Sequence, residues 1–337
     1  MSKSLGNVIA PEKVVKSLGA DVLRLWVAAA DYKGDVHVSE EILTRMSDAY
    51  RRIRNTVRFL LANLHGFDPK EHMVAPSKQI PLDAWIVDVA ARLQEEILQA
   101  YDEFQFHLIY QKIHNFCVVE LGSFYLDVIK DRQYTTKTDS LARRSAQTAM
   151  YHIAHALTRW LAPILSFTAQ EVWEYLPGTD FPSVFLTQWV KEIPRLSSAT
   201  PFNDAFWQQM IKVRELVNKA LEGERSQGNI GAPLDAKVVL YAQGELFERL
   251  LLLKDELRFI LITSEATVKS LKEKTEEAVA TEREDLWVEV IKSTDEKCKR
   301  CWHHRVDVNQ NPKYPEICGR CVTNIDPTLT GETRHYA

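Results

Sequence analysis

Cys298-Lys299-Arg300-Cys301 and Cys318-Gly319-Arg320-Cys321 together read Cys-x2-Cys-x16-Cys-x2-Cys, and no other stretch of the chain dictates its own chemistry so tightly. Two residues between paired cysteines let both sulfurs of a tight turn point at one centre, and two such turns complete the tetrahedron that zinc prefers. The 24 residues from Cys298 to Cys321 hold too little apolar surface to fold unaided, so a metal has to hold them together. Two disulfides, or four unrelated thiols, are the alternative, and neither a signal peptide nor another mark of an oxidising compartment supports it. The expectation is one structural Zn2+ on Cys298, Cys301, Cys318 and Cys321. His303 and His304 compete as ligands only for a tetrahedron that four thiolates already fill.

Four thiolates on a dication leave about two negative charges. Residues 297–321 answer with Lys297, Lys299, Arg300, Arg305, Lys313 and Arg320 against Asp307 and Glu316. A basic ribbon that exposes Trp302, His303 and His304 suits an RNA surface. The chain as a whole carries a formal net charge of -4 over 337 residues, so a nucleic-acid footprint has to be local. No apolar run approaches the roughly 18 residues of a membrane span, and no leader is visible at the start. A cytoplasmic, monomeric protein without a membrane partner is expected. Of five cysteines only Cys117 lies outside the zinc motif, placed on a helical pattern as a core residue.

Residues 40 to 64 have the marks of a long helix: Ser39 as N-cap, Glu40 and Glu41 in the first turn, and Gly66 with Pro69 beyond the end. Ile42, Met46, Ala49, Ile53, Val57, Leu60 and Leu64 recur at steps of three or four and form its apolar stripe. Arg45, Arg51, Arg52, Arg54 and Arg58 stand opposite against the single acid Asp48, either as a solvated face or as a footprint for a phosphate backbone. Further helical patterns run from Leu82 to Ala100, from Tyr110 to Val128 and from Leu141 to Leu161. A short one opens on the capping box Thr168-Ala169-Gln170-Glu171. Phe104, Phe106, Phe116, Phe124, Tyr125, Trp160 and Trp173 are core candidates, and histidines 107, 114, 152 and 155 are structural.

Pro177 to Pro201 is a linker, and a helix follows from Phe202 to Arg225. Lys237–Tyr241, Phe259–Ile262 and Leu286–Ile291 are strand-like, while the charged run from Lys269 to Asp285 is a solvated hairpin or loop. The expected fold class is therefore mainly α, an antiparallel helical bundle followed by a small α+β module and a C-terminal zinc ribbon. The divisions expected are 1–36, 37–200, 201–293 and 294–337.

The start, Met1-Ser2-Lys3-Ser4-Leu5-Gly6-Asn7-Val8-Ile9, is a small polar loop with one ammonium between two hydroxyls, apt for phosphate oxygens. It resembles the second ATP-site signature of class I aminoacyl-tRNA synthetases, whose full form has one more lysine in front. Asp21-Val22-Leu23-Arg24-Leu25-Trp26-Val27, Tyr50-Arg51-Arg52-Ile53-Arg54-Asn55 and Ser123-Phe124-Tyr125-Leu126-Asp127 follow, then Ala162-Pro163-Ile164-Leu165-Ser166-Phe167. With the cysteine motif at the end, they make the chain similar, along its whole length, to the bacterial-type isoleucyl-tRNA synthetase family.

The resemblance implies an enzyme that activates isoleucine with ATP and Mg2+ and passes it to isoleucine tRNA. Lys3, flanked by Ser2 and Ser4, would contact the ATP phosphates. The bundle and the C-terminal module would grip tRNA and its anticodon region, a bundle that turns the opposite face of residues 40 to 64 into a phosphate footprint. The residues expected to meet tRNA are Arg51, Arg52, Arg54, Arg58, Lys299, Arg300, Trp302, Arg305 and Arg320. No His-x-Gly-His signature, no parallel-sheet nucleotide fold and no editing domain is found, so no catalytic residue is expected here and the partner half of the enzyme is missing. The related valine enzyme, and a free-standing zinc-containing RNA-binding protein, are the remaining readings.

Overall fold

Helices follow the apolar spacing through the first half of the chain. The structure, a computed structural model, describes Ser4 and residues 8–337, so Ser2 and Lys3 lie outside the described residues. The helices in that half are α1 (Pro11–Leu18), α2 (Ala20–Ala29), α3 (Glu40–Asn63), α4 (Pro81–Asp102), α5 (Phe106–Asn115), α6 (Lys130–Thr135), α7 (Leu141–Leu161) and α8 (Ser166–Trp173). Two compact units share the chain. The first comprises the chain up to Pro76, Ile86–Asp127 and Gln147–Leu196, and the second Ser77–Trp85, Val128–Ala146 and Ser197–Ala337.

In the first unit, Ser39 caps α3 as expected, its Oγ accepting from Ile42 N at 3.1 Å. The buried stripe is Leu43, Ala49, Ile53, Val57 and Leu60, with Ile42 and Met46 half-buried at its margin. Phe116–Tyr125 departs from the expected unbroken α-helix and winds as a π-helix, in which Leu126 N reaches back to Leu121 O. The wider turn keeps Phe116, Cys117, Leu121, Phe124 and Tyr125 buried together. Thr56 Oγ1 from α3 donates to the Cys117 carbonyl at 3.3 Å.

The expected capping box at Thr168 does not form, because a charge from another helix takes its place. Helix α8 starts at Ser166, and buried Asp21 of α2 accepts from Thr168 N at 2.7 Å and Thr168 Oγ1 at 2.6 Å. A carboxylate at a helix N-terminus is a stronger acceptor than a hydroxyl. Glu171, the other half of the expected box, is drawn instead to Arg54. Phe104 is also corrected: it is 64% exposed, at φ 56 in the turn between α4 and α5, where the chain needs a left-handed residue more than a core ring. Residues 177–196 lie along this unit, Val190 O accepting from Gln94 Nε2 at 2.7 Å and Trp189 standing 5.3 Å from Tyr101.

The second unit is built on α9 (Asp204–Ser226), β1 (Ala236–Ala242), α10 (Gly244–Leu252), α11 (Leu257–Leu261), β2 (Glu265–Ser270), β3 (Val279–Ala280), β4 (Leu286–Lys292) and α12 (Gly319–Ile325). The sheet order is β2-β1-β4-β3, with β1 parallel to β2 and antiparallel to β4. Phe259–Ile262, expected as a strand, is helical and closes on left-handed Ile262 at φ 56; the strand is the next segment, Glu265–Ser270. A short apolar run has no period that separates helix from strand, and β2 is a half-buried edge strand with little apolar signal. The charged run from Lys269 to Asp285 likewise holds the end of β2 and all of β3.

An ion pair without water access anchors this unit. Arg132 of α6 forks onto Asp83 at 2.7 and 2.9 Å, with side chains 1% and 0% exposed, and Ser145 Oγ donates to the same carboxylate at 2.5 Å. Stripping one partner from such a pair leaves a buried charge alone, at a cost of about 3–5 kcal/mol. Asp83→Ala is therefore expected to lower unfolding free energy by about that amount in urea titrations. A change under about 1 kcal/mol would count against the pair as an anchor.

In the first unit His155 is held neutral. Its Nε2 donates to Pro177 O at 2.9 Å, its Nδ1 faces Arg159 Nη1 at 3.1 Å, and burial lowers its pKa to about 4. Burial does the same to His152. Both fold with pKa values below the unfolded value of about 6.5, so the unfolded chain binds these protons first. Their neutral forms cost nothing above pH 6.5, and stability is expected to fall as pH drops from about 6.5 to 4. In thermal melts across that window, His152→Gln/His155→Gln should show a shallower slope than the parent chain.

Candidate metal centre and basic surfaces

The sulfurs of Cys298, Cys301, Cys318 and Cys321 all lie within 4.8 Å of one another, every one buried. All are free thiols, and Cys301 Sγ to Cys318 Sγ is 3.7 Å, far beyond a disulfide. A tetrahedral zinc with bonds of about 2.3 Å requires sulfur edges of about 3.8 Å, so the donor set fits the metal. The alternative of two disulfides is set aside by this geometry. Around the sulfurs the apolar filling is only Val308 and Ile317, so the centre itself is the core of the segment. Thiols packed this closely distort one another: hydrogen bonds from Cys301 and the rest hold Cys298 far down, while that same sharing pushes Cys321 far up.

The knuckle geometry explains the residues between the ligands. Cys298 N donates to His303 O at 2.9 Å and Trp302 N to Cys298 O at 2.9 Å, which folds the first turn. Cys318 N donates to Cys298 Sγ at 3.3 Å, and Arg300 Nη1 approaches Cys321 Sγ at 3.8 Å, two donors that stabilise thiolate charge. Trp302 is left-handed at φ 65 and 63% exposed, a conformation this bulky residue adopts only because the turn imposes it.

Trp302 is the only ring of the three expected at the surface that reaches it. His303 is buried, its ring 5.7 Å from Phe259, and burial lowers its pKa to about 3. His304 is held by Ser264 Oγ at 2.6 Å from its N–H and by Asp295 O at 2.7 Å from Nδ1. Neither joins the metal group.

The basic residues of the segment divide sharply. Arg320, expected at a tRNA surface, is half-buried and turned inward: it forks onto Asp131 at 2.6 and 2.9 Å and reaches Glu332 at 3.4 Å. Burial works against its charge, but Asp131 outweighs it and holds the guanidinium firmly protonated. Arg334 adds a 2.5 Å bond to the same carboxylate. Burial alone would raise Asp131, yet the two arginines hold it well below the usual carboxylate range. Lys299 is exposed and paired with Glu316. Arg305 is half-buried, with its N–H on Glu296 O at 3.0 Å. Arg300 is tied to Thr135 O at 2.6 Å, an acceptor without charge.

In the first unit the arginines of α3 divide likewise. Arg54 forks onto Glu171 at 2.9 and 3.1 Å, and Arg51 pairs with Asp48 at 2.8 Å. Arg52 and Arg58 are exposed without a carboxylate partner among the described residues. Arg58 lines a groove of about 820 Å³ with Asn55, His65 and Tyr175, the last 72% exposed. Tyr175 is absent from the residues expected at this surface, because nothing in its local sequence distinguishes an outward tyrosine at a helix end from a core one.

Sequence profiles match three parts of the chain. Residues 1–39 match "tRNA synthetases class I (I, L, M and V)", residues 83–240 the "Anticodon-binding domain of tRNA ligase", and residues 295–324 the "Zinc finger found in FPG and IleRS". A helical anticodon-binding domain and a four-cysteine finger in one chain are those of a class I aminoacyl-tRNA synthetase. Isoleucine–tRNA ligases of Nitrosococcus oceani and Saccharophagus degradans are 56% identical over all of this chain, and that of Methylococcus capsulatus 57%. The chain belongs to the isoleucine–tRNA ligase family, and spans 36% of the length of each of these relatives. A valine enzyme and a free-standing RNA-binding protein are not favoured. No described helix is long and apolar enough to cross a membrane.

The metal centre is open to a direct check. Purified chain is expected to carry one zinc, and chelation should release four of its five thiols to a thiol reagent at neutral pH. Cys117, fully enclosed and pushed up to about 12 by burial, should stay unreactive. Rapid reaction of all five thiols before chelation would rule out a closed metal site.

Proposed function

We propose that this chain is the tRNA-gripping part of an isoleucine–tRNA ligase, the enzyme that uses ATP to attach isoleucine to its tRNA. The observation that carries the reading is identity of 56% over all 337 residues of the chain. Zinc, held by Cys298, Cys301, Cys318 and Cys321, supplies structure and fixes the exposed Trp302 beside Lys299 and Arg305. Arg52 and Arg58 offer guanidinium groups to a phosphate backbone, with Arg51 available at little cost because exposed ion pairs are worth under about 1 kcal/mol. Arg54 and Arg320, which fork onto carboxylates, orient the fold instead.

In the intact enzyme Lys3, with Ser2 and Ser4 beside it, meets the phosphates of ATP and its Mg2+, an electrostatic role in the adenylation step. The chain spans 36% of the length of its relatives and holds no His-x-Gly-His signature, so it is not expected to aminoacylate by itself. We infer a cytoplasmic location, in keeping with cysteines that are all free thiols.

The test is the affinity of the purified chain for isoleucine tRNA and for that tRNA with an altered anticodon, at several salt concentrations. Preference for the correct anticodon is expected, with affinity that weakens as salt rises. Arg52→Gln/Arg58→Gln should weaken both RNAs alike and lower the salt slope by about 0.7–0.9 for each phosphate left without its guanidinium. Equal binding of both tRNAs by the parent chain would sink the anticodon-reading role.

A further inference from the structure

A polar cavity of about 510 Å³ in the second unit stands apart from every residue assigned above except Arg300. Lys137, Arg143, Arg300, Tyr134, Ser140 and Asn324 line it. Its cations are not neutralised by carboxylates. Lys137 Nζ donates to the carbonyls of Asp326 at 2.9 Å and Leu329, acceptors that fix a cation without cancelling its charge, while Arg300 donates to the carbonyl of Thr135 at 2.6 Å and also lies 3.8 Å from Cys321 Sγ. Arg143 has no side-chain hydrogen-bond partner among the described residues, and its Nε is buried. Burial lowers its pKa, with neighbouring Arg144 adding to the effect and Asp139 opposing it. The one acid on the wall, Asp139, is bound to Arg144 at 2.6 Å.

Two further observations point to the charge of the occupant. The cavity opens at the N-terminus of the 21-residue helix α7, where Ser140 Oγ accepts from Arg143 N at 3.2 Å. That end of a long helix carries partial positive charge and attracts anions. Asn324 is only 5% exposed and lines the wall, its Oδ1 accepting from Glu332 N at 3.1 Å while its Nδ2 has no acceptor among the described residues. A buried amide donor left idle beside three cations is costly unless an acceptor arrives.

We propose that this cavity is a phosphate-binding subsite, which takes one backbone phosphate of bound RNA onto Arg143, Arg300 and Asn324. The choice of RNA as the phosphate source rests on the tRNA-binding reading above; the chemistry of the pocket does not. A phosphate oxygen accepts from the guanidinium of Arg143 and the amide of Asn324 together, while Arg300 and Lys137 add fixed charge.

The experiment measures the tRNA affinity and salt slope of the full chain beside Arg143→Gln and Arg143→Lys. Zinc content and melting temperature serve as fold controls. Arg143→Gln is expected to weaken binding roughly tenfold at low salt and to lower the slope by about 0.7–0.9, with Arg143→Lys restoring the slope but not the full affinity. Unchanged affinity and slope in Arg143→Gln would overturn the subsite. Titration with inorganic phosphate, read on the side-chain amide signal of Asn324, separates the two claims. If the parent chain ignores tRNA but phosphate shifts that signal, and fails to in Arg143→Gln, the tRNA reading fails while the pocket stands as a site for free phosphate. Silence in both arms overturns the pocket.

Discussion

Asp131 is the charge on which the metal-bearing end of this chain depends. Its carboxylate collects Arg320 from the helix that carries Cys321 and Arg334 from the segment after it, with His303 of the knuckle 3.7 Å away. Arg334, Arg258 and Arg320 also stand at 3.3, 4.4 and 5.3 Å from the ring centre of Phe259, so three guanidinium groups gather around one aromatic ring. Like charges at that density repel unless an anion sits among them. Asp131 and Glu332 provide it, and the ring takes up the exposed π-faces of the cluster. Zinc fixes the cysteines relative to one another, while Asp131 fixes the cysteine-bearing segment to the rest of its unit.

Buried carboxylates do this repeatedly and across long sequence distances. Asp21 caps a helix that begins 145 residues later, Asp83 holds Arg132 and Ser145, and Glu256 accepts from the N–H groups of His335, Tyr336 and Ala337 at 2.7, 2.8 and 2.9 Å. Short-range patterns carry no information about donors this far away along the chain, so nothing local to these acids marks the role. This is why the long helices and the cysteine tetrad were legible while their connections were not. Ser39 at the head of α3, the apolar stripe through Leu60, and Cys-x2-Cys spacing are local chemistry, readable without the fold. The capping box at Thr168 was also sound local chemistry, but a distant carboxylate competed for the same N–H groups and won.

The same limit governs the basic residues. Counting lysines and arginines around the zinc motif correctly marks a basic segment, yet it assigns Arg320 and Arg300 the same role. The structure separates them by the chemistry of their partners. Arg132, Arg54 and Arg320 fork onto carboxylates, an arrangement that cancels charge and gives direction, and these side chains orient the fold. Lys137 bonds to carbonyl oxygens, which give direction and leave the charge whole, and Arg300 is oriented by a carbonyl with the Cys321 sulfur 3.8 Å away. Arg58 and Arg143 bond to no carboxylate at all among the described residues.

A cation oriented by carbonyls is pre-organised for an anion without having paid for one, since its geometry is set before the ligand arrives and its field is undiminished. Burying such a cation is unfavourable in the free protein, and that penalty is relieved when a phosphate enters, so the strain shows up as affinity instead of fold stability. Carboxylate-paired arginines run the opposite way: an RNA phosphate has to displace an acid that is already bonded, and the exchange gains little. Partner type, more than the number of positive residues, therefore separates surfaces built to meet nucleic acid from those that hold the protein together. By that criterion the proposed recognition surfaces are the outer face of α3 at Arg52 and Arg58 and the cavity at the start of α7, and the guanidinium cluster around Asp131 belongs to the fold.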